Sequence, residues 1–367
     1  MADNLSAFTG CLLGLAVGDA MGVTVDTKKY DEICQMYGPA GLLGYDLVNG
    51  FAQISSYTQL AAYSCNGLIM GLARGQTTPI QHITLALKEG AQVQNLPREP
   101  QRRLCWLSHM SQMRVRRSMD PRTLDALTRD MLGTPQSPAN QGQGPGTLTA
   151  AVPIGLFFSP ERMEFSQIGE LGAQTVALTH GDAMTFLCGA VIAYAVAGIV
   201  QAPQTPLKEQ FLCAAQAVQA QFAEQFPQAQ QLQNAIHHAV TLADDPQNIH
   251  PQVMEMLSCN TASEVLCGAV YAALASRGDF DTALIIAVNH SGKSAAVGAL
   301  TGALIGAQLG QEALPEFYLE CLEPTQLLRQ LAQDLHNTSP GQWRRRLFDD
   351  DWDRKYIQGQ PVDFAPQ

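Results

Sequence analysis

An all-α fold follows from three features of the sequence. Apolar residues recur three and four apart through most of the 367 residues, and alternation of period two is almost absent. The periodic segments are rich in Ala, Leu, Gln and Glu, which are good helix formers. Two of them carry glycine at every fourth position: Gly10, Gly14, Gly18 and Gly22, then Gly298, Gly302, Gly306 and Gly310. No composition break divides the chain. The expectation is one compact multi-helix domain over residues 1–337 with the glycine-striped helices at its centre. A C-terminal tail over 338–367 would pack on that domain or extend from it.

The first helix is expected near 5–22. Each interior glycine costs about 1 kcal/mol against alanine, so a stripe of four needs a compensating gain. Residues four apart share a face, and a glycine face lets another backbone come close. The matching stripe lies in the helix expected near 294–310, and tight packing of the pair would bring their N-terminal loops together. Between them, helices are expected near 56–74, 163–177, 183–200, 206–242 (as one long stretch) and 262–277, with another near 324–336 after the second stripe. Leu148 to Phe158 is apolar but ambiguous, because Pro153 interrupts it. Ala183 to Val200 falls at the lower edge of a membrane span. It has no cationic flank and is entered through His180-Gly181-Asp182, which predicts a helix buried on all sides. Turns are signalled by Gly38-Pro39, Asn95-Leu96-Pro97, Asp245-Pro246 and Ser339-Pro340. Thr134 to Gly146 is the one long Gly/Pro/Gln loop, a type often functional in compact domains.

The net charge of −11 argues against a binder of phosphate backbones, so no nucleic-acid partner is expected, and no membrane partner either. Nine scattered cysteines without a CxxC pair indicate neither a zinc ribbon nor a disulfide framework, and a reducing cytoplasm is the expected location. The N-terminal apolar run ends at Gly18-Asp19 and lacks a basic leader, so no secretory signal is expected. Arg114, Arg116 and Arg117, with Arg102 and Arg103, form a local basic patch that reads as a solvated helix face. His237-His238 lacks an acidic partner and is a weak metal candidate. Trp343-Arg344-Arg345-Arg346 and Asp349-Asp350-Asp351 form a self-complementary tail expected to fold back on the body.

Five ordered blocks carry a family resemblance: GCLLGLAVGDAMGVTVD (10–26), QISSYTQLAAY (53–63), GPGTLTAAVPIGL (144–156), LTHGDAMTFLCGAVIAYA (178–195) and AVNHSGKSAAVGALTGALIGA (287–307). Together they resemble the ADP-ribosylglycohydrolase family, in its dinitrogenase reductase-activating glycohydrolase-like form. The resemblance implies an all-α fold and removal of ADP-ribose from modified side chains with two magnesium ions. It also implies that the loop with Gly142, Gly144, Gly146 and Thr147 wraps the ADP-ribose diphosphate through backbone N–H groups, with His180 and Asp182 beside the ligand. Pro145 stands where the family has Asn and removes one donor. Thr149-Ala150 stands in place of Met-Arg.

The implied metal site is where the sequence departs. The Thr-Asp-Asp-Thr motif reads Ser55-Ser56-Tyr57-Thr58, and Gly-Gly-Asp-x-Asp-Thr reads Ser291-Gly292-Lys293-Ser294-Ala295-Ala296. Magnesium demands hard oxygen donors in near-octahedral array. The implied four carboxylates would balance two divalent ions; here the corresponding positions sum to +1 from Lys293, and Asp26, at the family's catalytic Glu position, contributes −1. No cofactor is therefore expected. The leading expectation is a pseudoenzyme that keeps a cleft for ADP-ribose or a related nucleotide, with Lys293 in the vacated cation position, pairing with Asp26 or with a ligand phosphate. One alternative is a metal-independent hydrolase with Asp26 as general acid or base and Lys293 as electrostatic stabiliser. Another is an interaction module for an unidentified protein.

Overall fold

The computed structural model describes residues 4–75, 78–95, 103–158, 163–338 and 350–361. Its helices are α1 (Leu5–Val25), α2 (Tyr30–Tyr37), α3 (Ser56–Ala73), α4 (Pro79–Asn95), α5 (Ser111–Arg114), α6 (Pro121–Thr128), α7 (Val152–Phe157), α8 (Phe165–Ala177) and α9 (Ala183–Gln201). They continue with α10 (Leu207–Phe222), α11 (Gln228–Asp244), α12 (His250–Leu257), α13 (Ala262–Ala275), α14 (Phe280–Val288), α15 (Ser294–Leu309), α16 (Glu316–Cys321) and α17 (Thr325–Asn337). A last helix spans Asp350–Tyr356. Among the described residues there is no strand, only two isolated bridges, Val48 with Phe51 and Ala52 with Leu322.

The glycine stripes of α1 and α15 face each other. A Cβ on Gly10 would lie 2.2 Å from the Gly306 carbonyl oxygen, on Gly14 2.2 Å from that of Gly302, and on Gly18 1.9 Å from that of Gly298. This pairing runs antiparallel, which corrects the expectation that the two N-terminal loops meet. The C-terminal end of α1, with Asp26, instead reaches the first turn of α15, while Ser6 near the start of α1 accepts from Gln311 N–H at 3.1 Å just beyond the end of α15. A stripe of glycines permits either sense. The antiparallel one sets the two helix dipoles in opposition, which favours it.

Around this pair α9 is buried on nearly every side. Helices α1 and α9 are long and apolar enough to cross a membrane, yet 89% and 83% of their apolar windows are buried inside the fold. The stretch expected as one helix over 206–242 is broken between α10 and α11, where Phe226 is followed by Pro227. Proline lacks the N–H and restricts the residue before it, so the helix cannot run through. The ambiguous run becomes a 3-10 turn, Leu148–Ala151, followed by α7, with Pro153 in its first turn, where a missing donor costs nothing. Helices α2, α4, α6, α12, α14 and α16 were not anticipated; each is short or opens at a turn-like proline.

Two of the five arginines depart from a solvated helix face. Arg117 is buried and ion-paired with Glu323, and Arg103 is buried and donates to the Ser108 carbonyl. Arg114 and Arg116 are exposed; Arg102 lies outside the described residues. Trp343, Arg344 to Arg346 and Asp349 also lie outside them. The helix Asp350–Tyr356 packs on the body through a buried pair, Lys355 with Asp334, and Tyr356 Oη donates to the same carboxylate at 2.7 Å. All nine cysteines are free thiols.

Candidate functional site

The N-termini of α3, α9 and α15 carry residues singled out in the sequence, and a carboxylate caps each of them and that of α6. Asp19, wholly buried in α1, caps α3 across the fold. It accepts from Ser55 N–H at 2.9 Å, Thr58 N–H at 3.1 Å, and the Ser55 and Thr58 hydroxyls at 2.5 Å each. Burial pushes its carboxyl up to about 6 against the pull of those four donors. Asp26, at the end of α1, accepts from Ala295 N–H at 3.2 Å in the first turn of α15. Burial raises its carboxyl; Ala295 N–H, Lys293 and Lys28 oppose the rise. Asp120 caps α6, accepting from Arg122 N–H at 2.9 Å and Thr123 N–H at 3.1 Å. Asp182 caps α9 by accepting from Thr185 N–H at 3.2 Å. An acidic group at a helix N-terminus is stabilised by the unpaired N–H groups and the helix dipole.

Tyr57 links three of these corners. It sits in the first turn of α3, and its phenol is held well above the usual range by burial and then by the charges of Asp26, Asp120 and Asp19. Its carbonyl accepts from Thr149 Oγ1 at 2.7 Å, which ties α3 to the 3-10 turn behind the glycine loop.

The glycine loop closes over His180 and Asp120. A Cβ on Gly146 would lie 2.8 Å from Asp120 Cβ and 2.9 Å from His180 Cε1; on Gly142 it would lie 3.0 Å from His180 Cδ2. Only glycine allows that approach. At Gly144 the same construction meets His180 Nε2 at 3.6 Å and Asp120 Oδ2 at 3.8 Å, an ordinary contact that leaves room. Asn140 Oδ1 accepts from Gly142 N–H at 2.8 Å and its amide donates to the Thr179 carbonyl at 2.9 Å, fixing the loop to the start of α9. Thr147 is buried, and its hydroxyl contacts those of Thr179 and Thr123 and, at 3.3 Å, His180 Nδ1.

Lys293 immediately precedes α15. Its N–H donates to the Cys259 carbonyl at 2.8 Å, and Ala262 N–H donates to the Gln143 carbonyl at 2.8 Å. The segment 258–262 thus ties the Lys293 turn to the glycine loop. The ammonium is half-buried and favours the ionised form of Asp26, but the two form no ion pair. The turn before it is held by His290, whose Nδ1 accepts from Gly292 N–H at 2.9 Å and whose Nε2 donates to the Ala287 carbonyl at 2.9 Å.

The structure therefore joins Asp26 to the first turn of α15 near Lys293, sets His180 against the glycine loop, places Tyr57 within reach of the charges of Asp26, Asp120 and Asp19, and gives Asp182 a capping role. Asp19 and Asp120 were missed in the sequence. Asp120-Pro121 is a helix-start signature, but nothing in the spacing relates it to His180. Asp19 is the one charge in an apolar helix, which is itself a signal. His237 and His238 are exposed on α11. Two cavities of 350 and 510 Å³ lie elsewhere, sharing Met163, and none of these candidate residues lines them.

A family model for ADP-ribosylglycohydrolase matches residues 1–345. The chain belongs to the ADP-ribosylglycohydrolase family. A solved structure described as an ADP-ribosylglycohydrolase-related protein complex is similar over 92% of this chain and 100% of that one, at 22% identity and a TM-score of 0.58, a likeness of fold. No curated protein matches.

At the positions where the resemblance implies magnesium ligands, several side chains are engaged within the chain, apolar or cationic. The hydroxyls of Ser55 and Thr58 are spent on Asp19, and Ser291 Oγ accepts from Tyr30 N–H at 2.9 Å. Ala295 and Ala296 offer no side-chain donor, and Lys293 would repel a cation. Among the described residues no three His, Cys, Asp or Glu side chains converge as a metal site.

The His290 turn makes the protein acid-sensitive in a definite direction. Burial pushes its imidazole down to about 4 from an ordinary 6.5, so it is neutral in the fold at pH 7. Because the unfolded chain takes up the proton first, this group's contribution is full above pH 6.5 and is lost as pH falls toward 4. Between pH 6.5 and 5 the loss is roughly 2 kcal/mol. Urea unfolding at both pH values should show a His290→Asn variant losing less stability on acidification than the wild type by about that amount. Equal losses would refute the assignment.

Proposed function

We propose that this family member is a pseudoenzyme whose cleft binds ADP-ribose or a related nucleotide without magnesium-dependent hydrolysis. The observation that carries the reading is the disposition of charge. The acidic side chains at the cleft are engaged by helix N-termini, and the one new charge at a motif position is the ammonium of Lys293. A hydrolase of this kind would lack the ion that orients the ribose and stabilises the departing group, and loss of that electrostatic contribution costs orders of magnitude in rate. Retained binding is supported by the glycine loop. Among the described residues the N–H groups of Gln143, Gly144 and Gly146 have no partner, and such groups suit an anionic ligand.

Thermal denaturation and calorimetry with ADP-ribose, in EDTA and in magnesium, test this. The expected result is equal stabilisation in both, about 2.7 kcal/mol at 100 times Kd, with no ADP-ribose released from modified arginine or serine. Magnesium-dependent release overturns the reading. Release in EDTA favours instead the metal-free hydrolase using Asp26 and Lys293. No stabilisation at millimolar ADP-ribose leaves the protein-interaction module.

A further inference from the structure

Fourteen large apolar side chains are exposed among the described residues, and four of them, Leu43, Leu47, Val48 and Phe51, fall in the connection between α2 and α3. Exposed apolar residues scattered singly need no explanation, whereas a cluster marks an interaction surface. These four are presented by a tight turn. Val48 and Phe51 exchange both backbone hydrogen bonds, at 2.8 and 3.1 Å, around Asn49 and Gly50 at φ 54° and 85°. Positive φ at both central residues is the geometry of the two-residue hairpin, for which Asn-Gly is a preferred sequence. A Cβ built on Gly44 or Gly50 would meet nothing within 4 Å, so the turn stands clear of the body.

The flanks of the turn are pinned to the body. Asn289 Oδ1 accepts from Leu42 N–H at 2.7 Å, and its amide donates to the Leu42 carbonyl at 3.0 Å. Tyr37 Oη donates to Asp46 Oδ2 at 2.5 Å. Ala52 N–H donates to the Cys321 carbonyl at 2.8 Å, and Glu323 N–H to the Ala52 carbonyl at 3.2 Å. These bonds keep the connection from folding its apolar side chains back onto the core, and a surface ordered in advance loses little entropy on binding. The same bonds set α16 alongside. There the exposed Phe317 packs on Tyr318, and Tyr318 meets Tyr45 edge to face, at centroid separations of 4.2 and 5.0 Å. The apolar surface thus continues from the turn onto α16.

The charge around this surface has one sign. No Lys or Arg occurs between Lys29 and Arg74 or between Lys293 and Arg329. The charged residues of the connection and of α16 are Asp46, Glu316 and Glu320, all exposed, while Glu323 just beyond is neutralised by Arg117. A second copy of the chain would set acid against acid here, and anionic lipid would be repelled. We infer that the turn over 43–51, together with Phe317, is a docking surface for a protein segment that presents apolar side chains among Lys or Arg residues. Burial of the apolar side chains supplies the affinity, and the acidic border selects the partner. The inference is independent of the nucleotide reading, because none of the residues proposed to bind that ligand contributes to the surface.

The probe is a fluorescently labelled helical peptide with leucine on one face and lysine on the other, and anisotropy measures its binding. Wild type should bind it, and Leu47→Ser/Phe51→Ser should weaken binding at least about tenfold, as truncation of apolar anchors does. Both side chains are exposed, so Tm should stay within a few degrees of wild type. Leu43→Ser/Leu47→Ser is the companion should the first variant unfold. Glu316→Gln/Glu320→Gln should also weaken binding, by a factor that shrinks as salt is raised. A peptide with glutamate in place of lysine should not bind. Failure of wild type to bind the leucine–lysine peptide overturns the inference. Equal binding by wild type and the serine variants overturns it as well, since attraction to the acidic chain at large would then suffice. A wild-type dimer in sedimentation that the serine substitutions dissociate assigns the surface to a second copy and overturns the stated partner. Adsorption to phosphatidylserine vesicles that the same substitutions abolish overturns it in favour of a membrane.

Discussion

Gly302→Ala is expected to destabilise the protein by about 3 kcal/mol or more, at or beyond the upper end for overpacking a core. On an isolated helix the same change would gain about 1 kcal/mol of helix propensity, so the sign itself is informative. The added Cβ would lie 1.9 Å from the Gly14 carbonyl oxygen and 2.6 Å from its carbon. Both belong to the backbone of a buried helix, so no rotamer change can relieve the contact. The α1 and α15 backbones would have to separate, opening the packing on either side of the pair. Gly44→Ala is the control, since nothing lies within 4 Å of its Cβ position, and it should change stability by less than about 0.5 kcal/mol. Urea denaturation of the three proteins measures this. A Gly302→Ala protein as stable as wild type would mean that the stripes do not touch.

The stripes were legible because so many glycines inside helices are too costly to be incidental, and period four states which face they share, although Gly310 serves as the C-cap of α15. Their antiparallel sense was not legible, because a featureless face has no polarity. Most of the long helices were visible for the same periodic reason, whereas α14 is nine residues of nearly continuous apolar sequence with no face to detect. At the cleft, motif spacing identified the glycine loop, His180, Asp26 and Lys293 as candidates. What it could not supply was the partner of each. Asp120 is sixty residues from His180 in the chain but beside it in the fold, and Asp19 finds Ser55 and Thr58 only because α1 passes the start of α3. Of the two partners expected for Lys293, Asp26 forms no ion pair with it for a related reason: Asp26 accepts from the first turn of α15, whose N–H groups are nearer donors than the ammonium.

Asp19→Ala is expected to cost about 3–5 kcal/mol, because it leaves the half-buried Ser55 and the buried Thr58 N–H groups without an acceptor, each at about 1–3 kcal/mol, and unpins two hydroxyls. Asp19→Asn separates hydrogen bonding from charge. An amide oxygen placed at Oδ2 keeps three of the four donors satisfied, and the Ser55 hydroxyl can turn to accept from the NH2. Since burial already disfavours the ionised carboxyl, the asparagine variant should fall within about 1 kcal/mol of wild type at pH 7. The pH dependence follows with the opposite sign to that of His290. A folded pKa of about 6 against an ordinary 3.8 means that the native state takes up the proton first, so wild-type stability gains as pH falls through 6. Between pH 7 and 5 wild type should therefore gain about 1 kcal/mol relative to Asp19→Asn, since the His290 loss is common to both and cancels. If alanine is tolerated as well as asparagine, the capping network does not hold the start of α3. If the two proteins instead share one pH profile, the buried carboxyl titrates like an ordinary one.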